Sequence, residues 1–434
     1  MSDKPTSEEI LQKWKKYMFA SVATYYDEPI ALAEGQGSRL RDHDGREYLD
    51  FFGGILTVSI GQQHPRWKAA LHAQIDRLGH TSTLYPTLPI VELAEKLIQS
   101  APGKMDKIFF SASGTEADET AYTLAQYHTK RQELIALRHS YSGRSVLAQS
   151  VTGHAKYRLQ TTQVAAVKHA HAPYCYRCPF KLTPANCDLQ CAQDVEELIQ
   201  TTTTGQIAGF IAEPIMGVGG FIEAPEGYFK TVVDIVKKYG GVFIADEVQT
   251  GFGRTGEHMW GIQHHGVEPD IVTMAKGIAN GMPLGATMTT KEIADSWTGG
   301  NISTYGGNAL SAAAGIAVVD TIKEENLLQN AKVLGQKLKD GMKALQQKYP
   351  IIGDVRGRGL MIGVELVENE PAGDRRPNLK STLRLFEETK QRGLLIGRGG
   401  LYGNTLRIAP ALNISAGEID EALRILDESF AAMK

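Results

Sequence analysis

The chain has 434 residues, 42% of them hydrophobic and 22% charged, enough for a large core and more than one domain. A formal net charge of −3 with no long basic run argues against a nucleic-acid surface, and no apolar stretch is long enough to span a bilayer. The N-terminus mixes Ser7-Glu8-Glu9 with Lys13, Lys15 and Lys16, unlike a signal or transit peptide, and four cysteines do not make a secreted disulfide scaffold, so a cytoplasmic enzyme is expected.

Thr6-Ser7-Glu8-Glu9 reads as a capping box opening an amphipathic helix through Met18. Leu40 to Phe51 reads as a hairpin turning at Asp44-Gly45, followed by a glycine-rich segment from Gly53 to Gly61. Helices are predicted over Pro65–Leu78 and Pro89–Gln99. From about Met105, strand and helix alternate. Strand-like runs are Lys107–Phe110, Glu133–Leu137, Gln163–Val167, Ile207–Ala212, Gly241–Ala245 and Ile271–Ala275. Helical runs between them include Glu116–Lys130, Ala192–Gln200 and Glu226–Tyr239, the last stopped by Gly240-Gly241. This pattern predicts an α/β fold with a mostly parallel sheet covered by helices, in which ligands sit beyond the carboxyl ends of the strands. After Leu310, a long helix leads into Gly353–Leu366 and further α+β elements, read as a smaller domain. The expected division is an N-terminal part of the small domain over 1–60, a large cofactor-binding domain over 61–315 and a C-terminal small domain over 316–434. No internal repeat or low-complexity segment is present.

Two of the predicted strands end in charge. Ile271–Ala275 runs into Lys276-Gly277, and Gly241–Ala245 runs into Asp246-Glu247-Val248-Gln249. A lone lysine at a strand end is usually one that snorkels to solvent. Desolvated, it loses its proton more readily and becomes the amine that Schiff-base chemistry requires. A lysine with an aspartate for a pyridinium nitrogen is the usual protein equipment around pyridoxal phosphate. Ser113-Gly114-Thr115, between a strand and a helix, suits a phosphate at a helix N-terminus, and equally suits plain capping. Gly357-Arg358-Gly359 lacks the spacing of a dinucleotide fingerprint and reads as a turn.

At the level of whole motifs the chain resembles the class III pyridoxal-phosphate-dependent aminotransferases of fold type I, over nearly its whole length. Within them it is most similar to the second type of alanine–glyoxylate aminotransferase and to ω-amino acid transaminases. The stretches that carry the likeness are Ile244-Ala245-Asp246-Glu247-Val248-Gln249-Thr250-Gly251-Phe252-Gly253-Arg254-Thr255-Gly256 and Pro269-Asp270-Ile271-Val272-Thr273-Met274-Ala275-Lys276-Gly277. The resemblance implies that Lys276 holds the cofactor as a Schiff base and shuttles a proton, while Asp246 keeps the pyridine nitrogen protonated. It further implies that Val248 packs on one ring face, Tyr141 stacks on the other, and Gln249 sits near the phenolic oxygen. Ser113, Gly114 and Thr115 would hold the phosphate. Thr304 would reach the phosphate of a neighbouring subunit, making the site a property of a homodimer or homotetramer. Arg407, in Leu406-Arg407-Ile408-Ala409-Pro410, matches the arginine for a substrate α-carboxylate, and Glu213 a glutamate that can pair with it. A planar bidentate donor suits that anion. Ile55 stands where the decarboxylating branch has glutamine, which points to transamination. The chain departs from the family at Ser142, where histidine is usual, at Gly61-Gln62-Gln63-His64-Pro65, and at Asn308-Ala309.

Cys175, Cys178, Cys187 and Cys191 form C-x2-C-x8-C-x3-C in a proline-containing loop. Two close pairs suit a structural zinc, and two disulfides or four free thiols are the alternatives. His169 and His171, nearby, are not counted as ligands. The reading as a whole is a ping-pong aminotransferase taking a small amino acid or ω-amine and passing its amino group to pyruvate or glyoxylate. The alternatives are a broad amine:pyruvate or 4-aminobutyrate-type transaminase, and an aminomutase or racemase on the same fold.

Overall fold

The structure, a computed structural model, describes residues 5–159, 163–368 and 375–433. Helix Ser7–Tyr17 opens with the expected capping box between Thr6 and Glu9. Strands β1 (Leu32–Gln36), β2 (Arg39–Asp42) and β3 (Glu47–Asp50) form an antiparallel meander. The β2–β3 turn falls at Asp44-Gly45, where Asp42 Oδ1 accepts from the backbone N–H of Asp44 and of Arg46 at 3.1 and 2.8 Å. Gly45, at φ +88°, supplies the left-handed residue that the turn needs.

The next strands are β4 (Lys107–Ser111), β5 (Leu134–Leu137), β6 (Val167–Ala170) and β7 (Gly209–Ala212). A two-stranded ribbon follows, β8 (Ile215–Met216) with β9 (Ile222–Glu223), and then β10 (Val242–Asp246), β11 (Ile271–Met274) and β12 (Gly285–Thr289). Seven of them make the central sheet in the order β4-β12-β11-β10-β7-β5-β6. Only β12 runs antiparallel to its neighbours β11 and β4. Every residue of β10, β11 and β12 is buried, as a sheet covered on both faces requires. The helices Gly114–Thr129 and Tyr228–Lys238 turn apolar faces onto it.

Two expectations shift. The strand predicted at Gln163–Val167 is Val167–Ala170, because β5 sets the register by pairing Leu134 with Val167 and Leu137 with Ala170. Strand β12, of small residues and threonines, was not expected at all.

Beyond residue 350, β13 (Ile352–Arg358), β14 (Met361–Leu366), β16 (Gly397–Gly399) and β17 (Thr405–Ile408) form a second sheet in the order β13-β14-β17-β16. The short β15 (Leu394–Leu395) instead pairs in parallel with β3, so N-terminal and C-terminal segments share one sheet. Among the described residues no helix is long and apolar enough to cross a membrane.

The zinc expectation for the cysteine loop gains no support from the structure. Cys175, Cys178, Cys187 and Cys191 all line one cavity of about 290 Å³, yet all four are free thiols. Among the described residues no three His, Cys, Asp or Glu side chains come together as a set that could hold a metal ion. The loop has other anchors. Tyr174 and Arg177 both reach Glu365 of β14, which is 1% exposed and also pairs with Arg356 at 2.9 Å. Cys191 is buried in the hydrophobic core, where burial pushes its thiol up to about 12, while Cys175 is exposed. The loop is anchored by a buried ion cluster and an apolar plug.

Candidate active site

Parallel strands β10 and β11 lie side by side, pairing Asp246 with Thr273, so their carboxyl ends open into one space. Asp246 is the last residue of β10, and Lys276 begins a short 3-10 turn just after β11. Lys276 takes a left-handed φ of +44°, a conformation that L side chains pay for and that collects at functional sites. Both face a cavity of about 280 Å³ whose wall also carries Ser113, Gly114, Thr115, Tyr141, Glu213, Val248 and Gln249.

Two edges define the cavity, and Arg407 stands behind its wall at Gln249. At one end is the N-terminus of helix Gly114–Thr129, capped by Ser113, whose hydroxyl accepts from Glu116 N at 3.3 Å. Here the backbone comes close to its neighbour: a Cβ on Gly114 would lie 3.2 Å from Val248 Cγ1. Thr115 Oγ1 accepts from Arg144 N at 3.3 Å. At the base, Asp246 Oδ1 accepts from Val248 N at 3.0 Å. On the side of the second sheet stands Arg407 of β17, 3% exposed and sandwiched between the rings of Phe52 and Phe221 at 5.2 and 4.9 Å. Its Nη2 donates to Gln249 Oε1 at 2.8 Å, and its Nε is buried without a partner.

The electrostatics follow from desolvation. Burial raises the Asp246 carboxyl to about 6, against the opposing pull of Val248 N–H and the Lys276 charge. Burial raises Glu213 to about 8, helped by the nearby Asp246 charge. Burial lowers the Lys276 amine, with Asp246 and Glu213 holding it back. A lysine poised to lose its proton beside a carboxyl short of a cation is a site built for an electrophilic, nitrogen-bearing ring.

Most of the expected residues converge. Ser113, Gly114, Thr115, Tyr141, Glu213, Asp246, Val248, Gln249 and Lys276 share the cavity, and Arg407 joins through Gln249. Glu213 does not pair with Arg407: its two oxygens accept from Tyr141 N at 3.1 Å and Gly217 N at 2.7 Å. Ile55 is 47% exposed at a left-handed kink (φ +67°), and Thr304 is exposed on the surface; neither is on the wall of this cavity. Sequence reasoning missed Asp118, which lines the cavity from the same helix as Gly114, and Tyr122 behind it. No local signal separates Asp118 from its neighbours Glu116 and Glu119 in the sequence.

The sequence profile of the family "Aminotransferase class-III" matches residues 21–430. The chain is 42% identical over 430 residues to an alanine–glyoxylate aminotransferase 2 homolog of Arabidopsis thaliana, covering 99% of this chain and 88% of the relative. It is 38% identical to the human alanine–glyoxylate aminotransferase 2, covering 96% and 85%. Among solved structures, an amine transaminase from an uncultivated Pseudomonas species, with PLP bound, superposes at a TM-score of 0.88 with 32% identity, covering 96% and 98%. The chain belongs to the class III aminotransferases, enzymes of fold type I that depend on pyridoxal phosphate.

Proposed function

We propose that the chain transfers an amino group from a small amino acid or ω-amine to pyruvate or glyoxylate, in two half-reactions that meet on the same cofactor. The observation that carries this is the placing of Lys276 and Asp246 at adjacent strand ends, with Arg407 clamped between two rings at the far side. The residues present fit pyridoxal phosphate: the helix N-terminus at Gly114 and Thr115 for the phosphate, Val248 and Tyr141 for the ring faces, and Asp246 for the ring nitrogen. When bound, the cofactor supplies an electron sink for the bond broken at the substrate's α-carbon.

The chain's own groups do the rest. Lys276 Nζ would anchor the cofactor at its aldehyde carbon, and its amine, its pKa lowered by burial, would serve as the base for the substrate's α-proton. Asp246, buried in this cavity, would keep a proton on the cofactor's ring nitrogen. Arg407 Nε, buried and unpartnered, is one donor ready for a carboxylate; Nη2 becomes a second once Gln249 gives way. Because Gln249 is neutral, displacing it costs less than breaking an ion pair would, and this favours carboxylate-bearing donors. Thr304 and the exposed Leu84, Tyr85, Leu88 and Val91 fit a second copy of the chain completing the site.

The test is to mix the holoenzyme with L-alanine, β-aminoisobutyrate or a benzylic amine without any keto acid and follow its yellow absorption. Fastest bleaching by an amino acid, restored by pyruvate or glyoxylate, is the expected result. Fastest bleaching by the carboxylate-free amine would make this a broad amine transaminase in which Glu213 swings to pair with Arg407. No yellow band would sink the cofactor assignment.

A further inference from the structure

One carboxyl in the cofactor cavity has no part in the chemistry above. Asp118 sits on helix Gly114–Thr129, 1% exposed, on the wall it shares with Asp246 and Lys276. Its Oδ2 accepts from the Ser142 hydroxyl at 2.6 Å. The Tyr122 hydroxyl also bonds Ser142 Oγ, and since Ser142 gives its only proton to Asp118, Tyr122 is the donor there. Ser142 is fixed in turn by its backbone N–H, which donates to Thr152 Oγ1 at 3.1 Å. Asp118 Oδ1 has no partner in hydrogen-bond geometry, and the Thr273 hydroxyl, itself unpartnered, lies close enough to pull on the carboxyl. One oxygen is gripped and the other is open.

Two carboxyls in one dry cavity do not both ionise. The groups facing Asp118 are Asp246 at the end of β10, Lys276 after β11, and Tyr122 on its own helix. Burial, and then the Asp246 charge, push the Asp118 carboxyl well above the usual range, against the smaller opposing pulls of Ser142, Thr273 and Lys276. Asp246, at about 6, ionises first. Since Oδ2 already accepts a hydrogen bond, the retained proton belongs on the open Oδ1.

We propose that Asp118 is a positioning residue for Asp246: a neutral carboxyl, locked by Ser142 and Tyr122, that offers its Oδ1 proton to the Asp246 side of the cavity and so holds Asp246 as the carboxylate for the cofactor's ring nitrogen. The inference rests on the cofactor reading above.

The test uses the full-length protein, apo and loaded, with Asp118→Asn, Asp118→Leu and Ser142→Ala. Three readings are made: the cofactor Kd of the apoprotein, the pH midpoint of the yellow band, and the infrared stretch of protonated carboxyls. Asp118→Asn keeps a neutral donor. It is expected to stay within about twofold in Kd, to leave the midpoint in place, and to lose one protonated-carboxyl band. Asp118→Leu removes the donor, which destabilises the Asp246 carboxylate and leaves the ring nitrogen less protonated. The Kd is expected to weaken about tenfold and the midpoint to rise by about one pH unit. A midpoint that falls in Asp118→Asn would show that a negative charge had been removed, and would overturn the proposal. So would unchanged Kd and midpoint in Asp118→Leu. If Asp118→Leu does not fold, Ser142→Ala, which frees the carboxyl without deleting it, must raise the midpoint in the same direction or the proposal fails. Absence of the yellow band from the unaltered protein as well would instead refute the cofactor reading.

Discussion

Lys276 and Asp246 are each ordinary at a strand end, and it is their sharing of one dry cavity that makes them chemical. Replacing Lys276 with alanine removes both the covalent anchor and the base. Turnover should fall by at least about 10⁴-fold, while cofactor is still retained through the helix N-terminus and Asp246. Single-turnover kinetics with spectrophotometry of the purified variant checks both halves, and near-normal turnover would sink the mechanism. Glu213 gives a second prediction at this scale. Its folded-state pKa of about 8 lies above the unfolded value of 4.5, so between those values the folded protein holds a proton that the unfolded chain has released. Its contribution to stability is therefore full below pH 4.5 and is lost as pH rises through about 8. Asp246 at about 6 and Glu247 at about 7 act with the same sign. Urea unfolding of the apoprotein at a series of pH values should show stability falling over that window, and Glu213→Gln should flatten the fall. An equally steep fall in the variant would rule out Glu213 as its source.

The elements were legible where burial alone determines them. Strands such as Val242–Asp246 and Ile271–Met274 are unbroken apolar runs, and the capping box at Thr6 is local chemistry; both were found where expected. Strand Gly285–Thr289 escaped because its small residues fill a place between β4 and β11 that only the assembled sheet defines. Asp118 escaped for a related reason. In sequence it is one acid among Glu116, Asp118 and Glu119, and only helix rotation shows that it points inward. In the cysteine loop the spacing gave no hint of the anchor the structure shows, Tyr174, Arg177 and Arg356 around Glu365. Glu365→Gln leaves two guanidiniums in a dry place with Asp354 as their remaining carboxylate neighbour, at 2.7 Å from Arg356. The loss should be about 3 kcal/mol, read as a lowered urea midpoint. A chelator, by contrast, should leave the unaltered protein's unfolding midpoint in place. A midpoint that drops with chelator would restore the metal.

At the scale of the whole molecule, Thr304 lies outside the cavity of its own chain. The Ser303-Thr304-Tyr305 turn is tied to its own subunit, with Ser303 N donating to Thr83 Oγ1 at 3.1 Å and Gly306 N to Ser303 Oγ at 2.9 Å. Thr304 itself is exposed and stands off its own cavity wall. Around it lie Ile302 at 62%, Tyr305 at 64%, Leu84 at 63% and Tyr85 at 67% exposure, an apolar concentration that a lone chain would leave in water. If this face meets a second copy, Thr304 serves the neighbour's phosphate, and its loss is felt in the other subunit. Thr304→Ala should weaken cofactor binding about tenfold, the worth of one hydrogen bond to a charged group, and leave apoprotein stability unchanged. The decisive version mixes subunits. In a hybrid of Thr304→Ala with Lys276→Ala, one site has an intact lysine and receives an intact threonine from its partner. Hybrids should therefore regain wild-type cofactor affinity and activity in one of their two sites. Neither parent homodimer combines the two. Hybrids no better than the parents, or a monomer by light scattering at micromolar concentration, would show that each subunit builds its site alone.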